Sequence, residues 1–360
     1  MISRKTLWIL AVVLVAVGLL SMLTGRARYS TVEDGGFVDI LPDFDRGQVQ
    51  TVKAWLGSIP DEPVELTREG EGWNVSSRWG WTAKEDLVKR LLDDLEGLRG
   101  EKRAASSEVL DDFQADDSLG LHVVASGAGG GELFHLIVGK TSVRGGGFLR
   151  RAGSDEVYLT QAPLRSSFGV FGEEPKAPDA KRWIELRVQQ ADRQDVDRIV
   201  IHGEDGDIVL EKEFELVAAE PEPAAAADSA AAEADTASTE TASAEPAEMV
   251  PNRAEWTWKP DAAGEFDKGK ADNILSTLCS LYAFDVADPE SLAAYGLDAP
   301  SRSAEIHFES GETVTVEFGN VTEDEKRVYF RIAPDGKPAE IYTSSADRLF
   351  PSREDLKPQA

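Results

Sequence analysis

Apolar and polar residues along this chain follow two periods in turn, that of a strand and that of a helix. "LHVVASGAGGGELFHLIVGK" from Leu121 and "AEIHFESGETVTVEFGN" from Ala304 alternate on either side of a glycine-containing turn, which predicts hairpins of half-buried strands. "GFLRRAGSDEVYLTQAPLRSSF" from Gly147 and "VYFRIAPDGKPAEIYTSSADRLF" from Val328 each predict a further hairpin. The period lengthens in "KEDLVKRLLDDLEGLRG", where Leu87, Leu91, Leu95 and Leu98 share one face of a helix over about 84–98. It does so again in "KADNILSTLCSLYAFD", where Ile274, Leu278 and Leu281 share a face over about 270–283.

These elements come in the same order twice. "VQTVKAWLG" from Val49 resembles "VDRIVIHGEDG" from Val196 at an offset of 147 residues, and each follows a short apolar strand, "FVDIL" from Phe37 or "RWIELRV" from Arg182. Each leads to a tryptophan-bearing strand, around Trp73 or Trp256, and then to the helix. In the closing hairpins Arg150 falls opposite Arg331 and Tyr158 opposite Tyr342. Between the helix and those hairpins, either Gly120-Leu121 lies opposite Gly296-Leu297 or His122 lies opposite His307; one gap cannot satisfy both.

The copies differ in length between two strands. Leu66 to Trp73 is 7 residues, whereas Leu210 to Trp256 is 46, and the surplus is almost wholly Ala, Glu, Pro, Ser, Thr and Asp. Such a stretch has too little apolar surface to build a core and reads as a disordered loop. The expected architecture is α+β: two tandem related domains, each an antiparallel sheet with one main packing helix, after an N-terminal transmembrane helix. The expected boundaries are 1–30 for the anchor, 31–176 and 177–355 for the domains, and about 218–252 for the acidic insert.

The anchor rests on "LWILAVVLVAVGLLSML", Leu7 to Leu23, which is 17 residues without a charge and approaches the ~20 needed to span a bilayer. "SMLTGRARYS" offers no small-x-small cleavage site, so the segment reads as an uncleaved signal anchor. Basic residues flank it on both sides, Arg4 and Lys5 before and Arg26 and Arg28 after. The short leading tail then favours the N-terminus inside a cytoplasmic (inner) membrane, with the body extracytoplasmic, or periplasmic. Those first 30 residues hold no acid, so the remaining 330 carry 34 basic and 66 acidic residues, a net charge of −32. A body that acidic repels nucleic acid and anionic lipid.

Candidate chemistry is sparse. Gly139-Lys140-Thr141 looks like the tail of a phosphate-binding loop, but Phe134 stands where the loop needs its first glycine, and "SVRGGG" follows where a helix must start. Only the glycine recurs in the second copy, at Gly319, so a turn glycine with positive φ is expected and no nucleotide site. His122, His135, His202 and His307 lack zinc spacing and read as strand histidines. Asp93-Asp94, Asp111-Asp112, Asp116-Asp117 and Glu323-Asp324-Glu325 lack the pattern of a calcium loop and read as solvated faces. Cys279, the single cysteine, lies in an apolar helical pattern and reads as a buried thiol. Trp73 and Trp256 recur and read as core, whereas Trp79 and Trp81 in "SSRWGWT" would share one side of a strand and are the candidate partner-binding aromatics. No catalytic residue, cofactor or metal is assigned.

The apolar anchor, the tryptophan-bearing strand before a Leu-rich helix, "YGLDAP" at Tyr295 to Pro300, the glycine ending "VTVEFGN", and "VYFRI…IYTSS" together resemble the domain-of-unknown-function 4340 family. In the first copy the "YGLDAP" signature shortens to "SLGL". The resemblance implies a membrane-anchored extracytoplasmic protein associated with ABC-2-type exporters of the gliding kind. The expected function is therefore a non-enzymatic accessory or scaffold of such an export complex, held by its anchor and contacting exporter subunits. The alternative is an envelope glycan-binding protein or hydrolase.

Overall fold

The computed structural model describes residues 36–142, 145–172, 174–203, 206–218 and 249–358. The anchor segment and most of the acidic insert lie outside them. Among the described residues no helix is long and apolar enough to cross a membrane. The fold is α+β and sheet-rich, with every strand pairing antiparallel. The chain divides into two compact units, one ending at Glu185 and the other starting at Leu186.

The first unit runs β1 (Phe37–Asp39), β2 (Thr51–Leu56), β3 (Ile59–Glu69), β4 (Gly72–Val75), β5 (Trp81–Thr82), α1 (Glu85–Glu96), β6 (Arg99–Ala105), β7 (Leu121–Ser126), β8 (Glu132–Thr141), β9 (Gly147–Arg151), β10 (Glu156–Thr160) and α2 (Leu164–Ser167). Its ten strands form one sheet in the order β1-β6-β10-β9-β8-β7-β2-β3-β4-β5. Alternation puts Val52, Ala54, Leu66, Val123, Leu136 and Leu149 on one buried side. α1 turns Val88, Leu91, Leu92 and Leu95 inward. Val88 takes the inward place expected of Leu87, and Gly97 ends the helix one residue before Leu98, its N–H bonding to the Asp93 carbonyl. Glu85 and Asp86 in the first turn suit the positive end of the helix dipole.

The second unit runs β11 (Arg187–Gln190), β12 (Val196–Gly203), β13 (Gly206–Ala218), β14 (Met249–Trp258), α3 (Lys268–Cys279), β15 (Ser280–Tyr282), β16 (Asp285–Val286), β17 (Arg302–Phe308), β18 (Thr313–Val321), β19 (Arg327–Ala333), β20 (Ala339–Tyr342) and α4 (Thr343–Asp347). Eight strands follow the order β14-β13-β12-β17-β18-β19-β20-β16, and β11 pairs with β15. Asp267 caps α3 by accepting from the Lys270 N–H, and Ile274, Leu275, Leu278 and Cys279 are buried. Burial pushes the Cys279 thiol up to about 11, so it stays protonated and unreactive at neutral pH. β14 begins at Met249, so part of the expected insert is strand.

Read from β6 or from β16, the two sheets list corresponding strands in one order. The ladders also correct several pairings drawn from sequence. Arg150 does stand where Arg331 stands, since each lies one residue beyond the partner of Val138 or Phe318. Tyr158 faces Leu149 as Ala339 faces Phe330, so Ala339, not Tyr342, takes its place. Arg68 faces Trp73 as Lys212 faces Trp258, so Trp258 is the counterpart of Trp73. Both tryptophans are buried.

The shared glycine has a different cause from the one expected. Gly139 and Gly319 are not among the positive-φ residues. Each sits in a strand at a shift of register, where the backbone of a preceding loop presses on it. A Cβ on Gly139 would lie 2.2 Å from the Phe113 carbonyl oxygen, and one on Gly319 would lie 2.0 Å from that of Tyr295. These contacts also locate the missing signature. Tyr295-Gly296-Leu297 corresponds to Phe113-Gln114-Ala115, with positive φ at Gly296 and Gln114 and with Leu297 and Ala115 donating to the carbonyls of Leu292 and Leu110. Neither the "SLGL" match nor a His122–His307 match survives, because His122 faces Ile137 as Ser303 faces Glu317.

Candidate functional site

The side of the first sheet away from its apolar core carries a cluster that sequence alone did not assemble. Trp55 on β2 faces His122 on β7, and His135 on β8 lies one diagonal step away across the β7–β8 hairpin. The Trp55 and His122 rings stack with centroids 4.9 Å apart at 12°. His122 Nδ1 and His135 Nε2 are 2.9 Å apart, and His122 Nε2 is 2.8 Å from the Asp117 carbonyl oxygen. A carbonyl can only accept, so His122 Nε2 carries a hydrogen and donates. In the neutral pair His122 Nδ1 then accepts from His135 Nε2–H, which leaves His135 Nδ1 as an open lone pair.

Burial, with smaller pushes from His122 and Arg150, lowers the His135 pKa against the opposing pull of Glu132 and Asp117. The ring is therefore neutral and able to accept at neutral pH. Arg150 sits under the loop that carries Asp117. Its Nε donates to the Ala115 carbonyl at 2.6 Å, and its other nitrogens reach the Ser154 carbonyl and the Asp117 carboxylate. The guanidinium thus fastens the loop against which His122 is oriented.

His135 opens onto a cavity of about 320 Å³ lined also by Phe44, Phe134, Asp43, Glu132 and Arg151. Phe44 and Phe134 meet edge to face with centroids 5.1 Å apart. Chemically, the arrangement offers one neutral nitrogen acceptor, a polarised imidazole pair behind it, carboxylates and an aromatic wall. Among the described residues no group of three or more His, Cys, Asp or Glu side chains is placed to hold a metal ion.

The tryptophans picked from sequence are not part of this site. Trp79 ends a 3-10 turn with φ 55° and is 41% exposed, with the Arg78 guanidinium 5.2 Å above its ring. Trp81, two residues on, pairs with Val75 in β5 and is buried, so the two do not share a side. The left-handed turn at Trp79 and Gly80 breaks the alternation on which the expectation rested. The histidines were recognisable as strand residues; their meeting required the hairpin register.

A sheet-rich α+β body bearing a polar, aromatic cluster on the side of one sheet away from its main core is thus the class of protein in hand. The family described as "Domain of unknown function (DUF4340)" matches residues 73–245 and 256–354, more than half of the chain, and the chain belongs to that family. Neither a curated protein nor a solved structure matches it.

Proposed function

We propose that this chain is a membrane-anchored, extracytoplasmic accessory or scaffold protein, built from two tandem copies of one α+β module, that serves an ABC-2-type, gliding-like export complex. The observation that carries the reading is the common strand order of the two sheets, together with the common glycine–carbonyl contact at Gly139 and Gly319. Duplication keeps the framework and leaves the side of each sheet away from the main core free to diverge, which suits the display of different binding surfaces. The uncharged Leu7–Leu23 segment supports the anchor. From Leu23 to Gly36 the chain can reach roughly 45 Å at most, so the body stays close to the bilayer and a weak interface with a neighbouring membrane protein suffices.

An envelope glycan-binding protein or hydrolase is the competing reading. It calls for a carboxylate pocket beside Trp79 and Trp81, and the cavity beside His135 is lined by neither. Extraction of membranes with a mild detergent is expected to recover the chain together with transporter subunits. Protease added to spheroplasts is expected to digest the body while the anchor stays in the membrane. Recovery of the chain alone, with hydrolysis of an envelope glycan or peptide, would overturn the scaffold in favour of an enzyme.

A further inference from the structure

The geometry points to the cavity beside His135 as a binding site for a primary ammonium group on a short aliphatic chain. Three features converge on that chemistry. The lone pair of His135 Nδ1 can accept a hydrogen bond, and it is fixed in that role by the chain of donors from His135 Nε2–H to His122 Nδ1 and from His122 Nε2–H to the Asp117 carbonyl. Asp43, Asp45 and Glu132 line the cavity against a single guanidinium, that of Arg151, which itself donates to the Ile40 carbonyl. Among the described residues neither Asp43 nor Glu132 has an ion pair. The Phe44–Phe134 pair supplies π-faces and an apolar wall for the methylenes.

An ammonium has three donors and no acceptor, which matches a histidine acceptor plus carboxylates. An alcohol would leave the carboxylates without a counter-charge, and a carboxylate ligand would meet like charge. About 320 Å³ accommodates the group and its stem but not a large cofactor. The group can come from a free amine or from a lysine side chain of a partner protein. The inference stands on the cavity alone and does not depend on the membrane reading.

Titration calorimetry of the full chain in detergent, with n-butylammonium, acetyl-lysine amide, n-butanol and butyrate as probes, tests it. Saturable heats are expected for butylammonium and none for butanol or butyrate. Saturation with acetyl-lysine amide as well assigns the site to a lysyl side chain; butylammonium alone assigns it to a free amine. Glu132→Gln is expected to weaken butylammonium by about tenfold, as loss of one charge-assisted hydrogen bond does. His135→Phe removes the acceptor and is expected to weaken it similarly, with the unfolding midpoint of each variant reporting that the fold is intact. Equal binding of butanol or butyrate, or unchanged butylammonium affinity in a folded Glu132→Gln protein, would overturn the assignment.

Discussion

The same ladder row crosses the side of each sheet away from its main core, and the two rows carry different chemistry. In the first unit it reads Trp55–His122–Ile137–Arg150; in the second, His202–Ser303–Glu317–Arg331. Only the arginine is common. Arg150 has an isoleucine beside it, and its guanidinium turns to the loop, donating to the Ala115 and Ser154 carbonyls and to the Asp117 carboxylate, with the residue 4% exposed. Arg331 has Glu317 across the ladder and pairs with it at 2.7 Å on a more open surface. His202 likewise pairs with a carboxylate, that of Asp207 at 2.8 Å, where Trp55 lies against an imidazole. On the second unit's row Arg331 and His202 each meet a carboxylate, whereas the first leaves one acceptor, His135 Nδ1, unspent beside a cavity. Strand order and glycine contacts fix the framework; side chains on the side away from the main core decide which chemistry each unit offers.

The largest effect that tests this division is expected at the shared glycines. Gly139→Val and Gly319→Val place carbon atoms against a backbone carbonyl that cannot move aside, and each should cost about 3–5 kcal/mol in urea unfolding or prevent folding. Gly131, whose added Cβ would meet nothing within 4 Å, supplies the control as Gly131→Ala. Damage at only one of the pair would break the equivalence.

Next in size is the matched pair Arg68 and Lys212. Each cation lies over a tryptophan, Arg68 at 4.9 Å from the Trp73 ring centre and Lys212 at 4.0 Å from Trp256. Lys212 is buried, with its ammonium donating to the Arg193 carbonyl, and burial lowers its pKa from 10.5 to about 8. A lysine pKa depressed by folding contributes stability that is present above pH 10.5 and lost as pH falls through about 8. Relative to Lys212→Met, the wild-type protein should therefore gain about 3 kcal/mol between pH 7 and pH 10.5. Arg68→Met provides the flat baseline, because a guanidinium keeps its charge. A flat difference for Lys212→Met would mean that the ammonium is solvated.

A smaller pH effect is expected at the histidine pair. The folded protein holds the His135 pKa down through burial, so its contribution is present above the ordinary imidazole range and is lost as pH falls through the folded value. The wild-type unfolding midpoint should drop more steeply than that of His135→Phe between pH 7 and pH 5. Parallel curves would place His135 in solvent and dissolve the contrast with the second face.

The smallest effect concerns the one large difference in length. Replacing residues 219–248 by a short turn joins β13 to β14 directly and should change stability by less than about 1 kcal/mol, since loop length enters only logarithmically. A larger loss would show that the acidic segment packs on the second unit.

Much of the framework is legible in the sequence. Strict alternation can bury only one side of a strand, and Leu91 and Leu95, or Ile274 and Leu278, can share only one side of a helix. Those periods located α1, α3 and the closing hairpins, and a repeat at an offset of 147 residues ordered them. Register lay beyond that reading, because a one-residue shift leaves the alternation almost as good while exchanging every partner. Hence the sequence pattern matches Tyr342 in place of Ala339, Trp256 in place of Trp258, and "SLGL" in place of Phe113-Gln114-Ala115.

The sequence by itself determined an acidic, sheet-rich α+β chain of the family its motifs resembled, because composition and period act locally and survive any packing. The tertiary structure decided the remainder. Gly139 is required by a carbonyl 26 residues earlier in the chain, and His135 becomes an acceptor through His122 and the Asp117 carbonyl. Such contacts join residues whose separation along the chain carries no signal, and only the closing of the sheet brings them within hydrogen-bond or van der Waals reach.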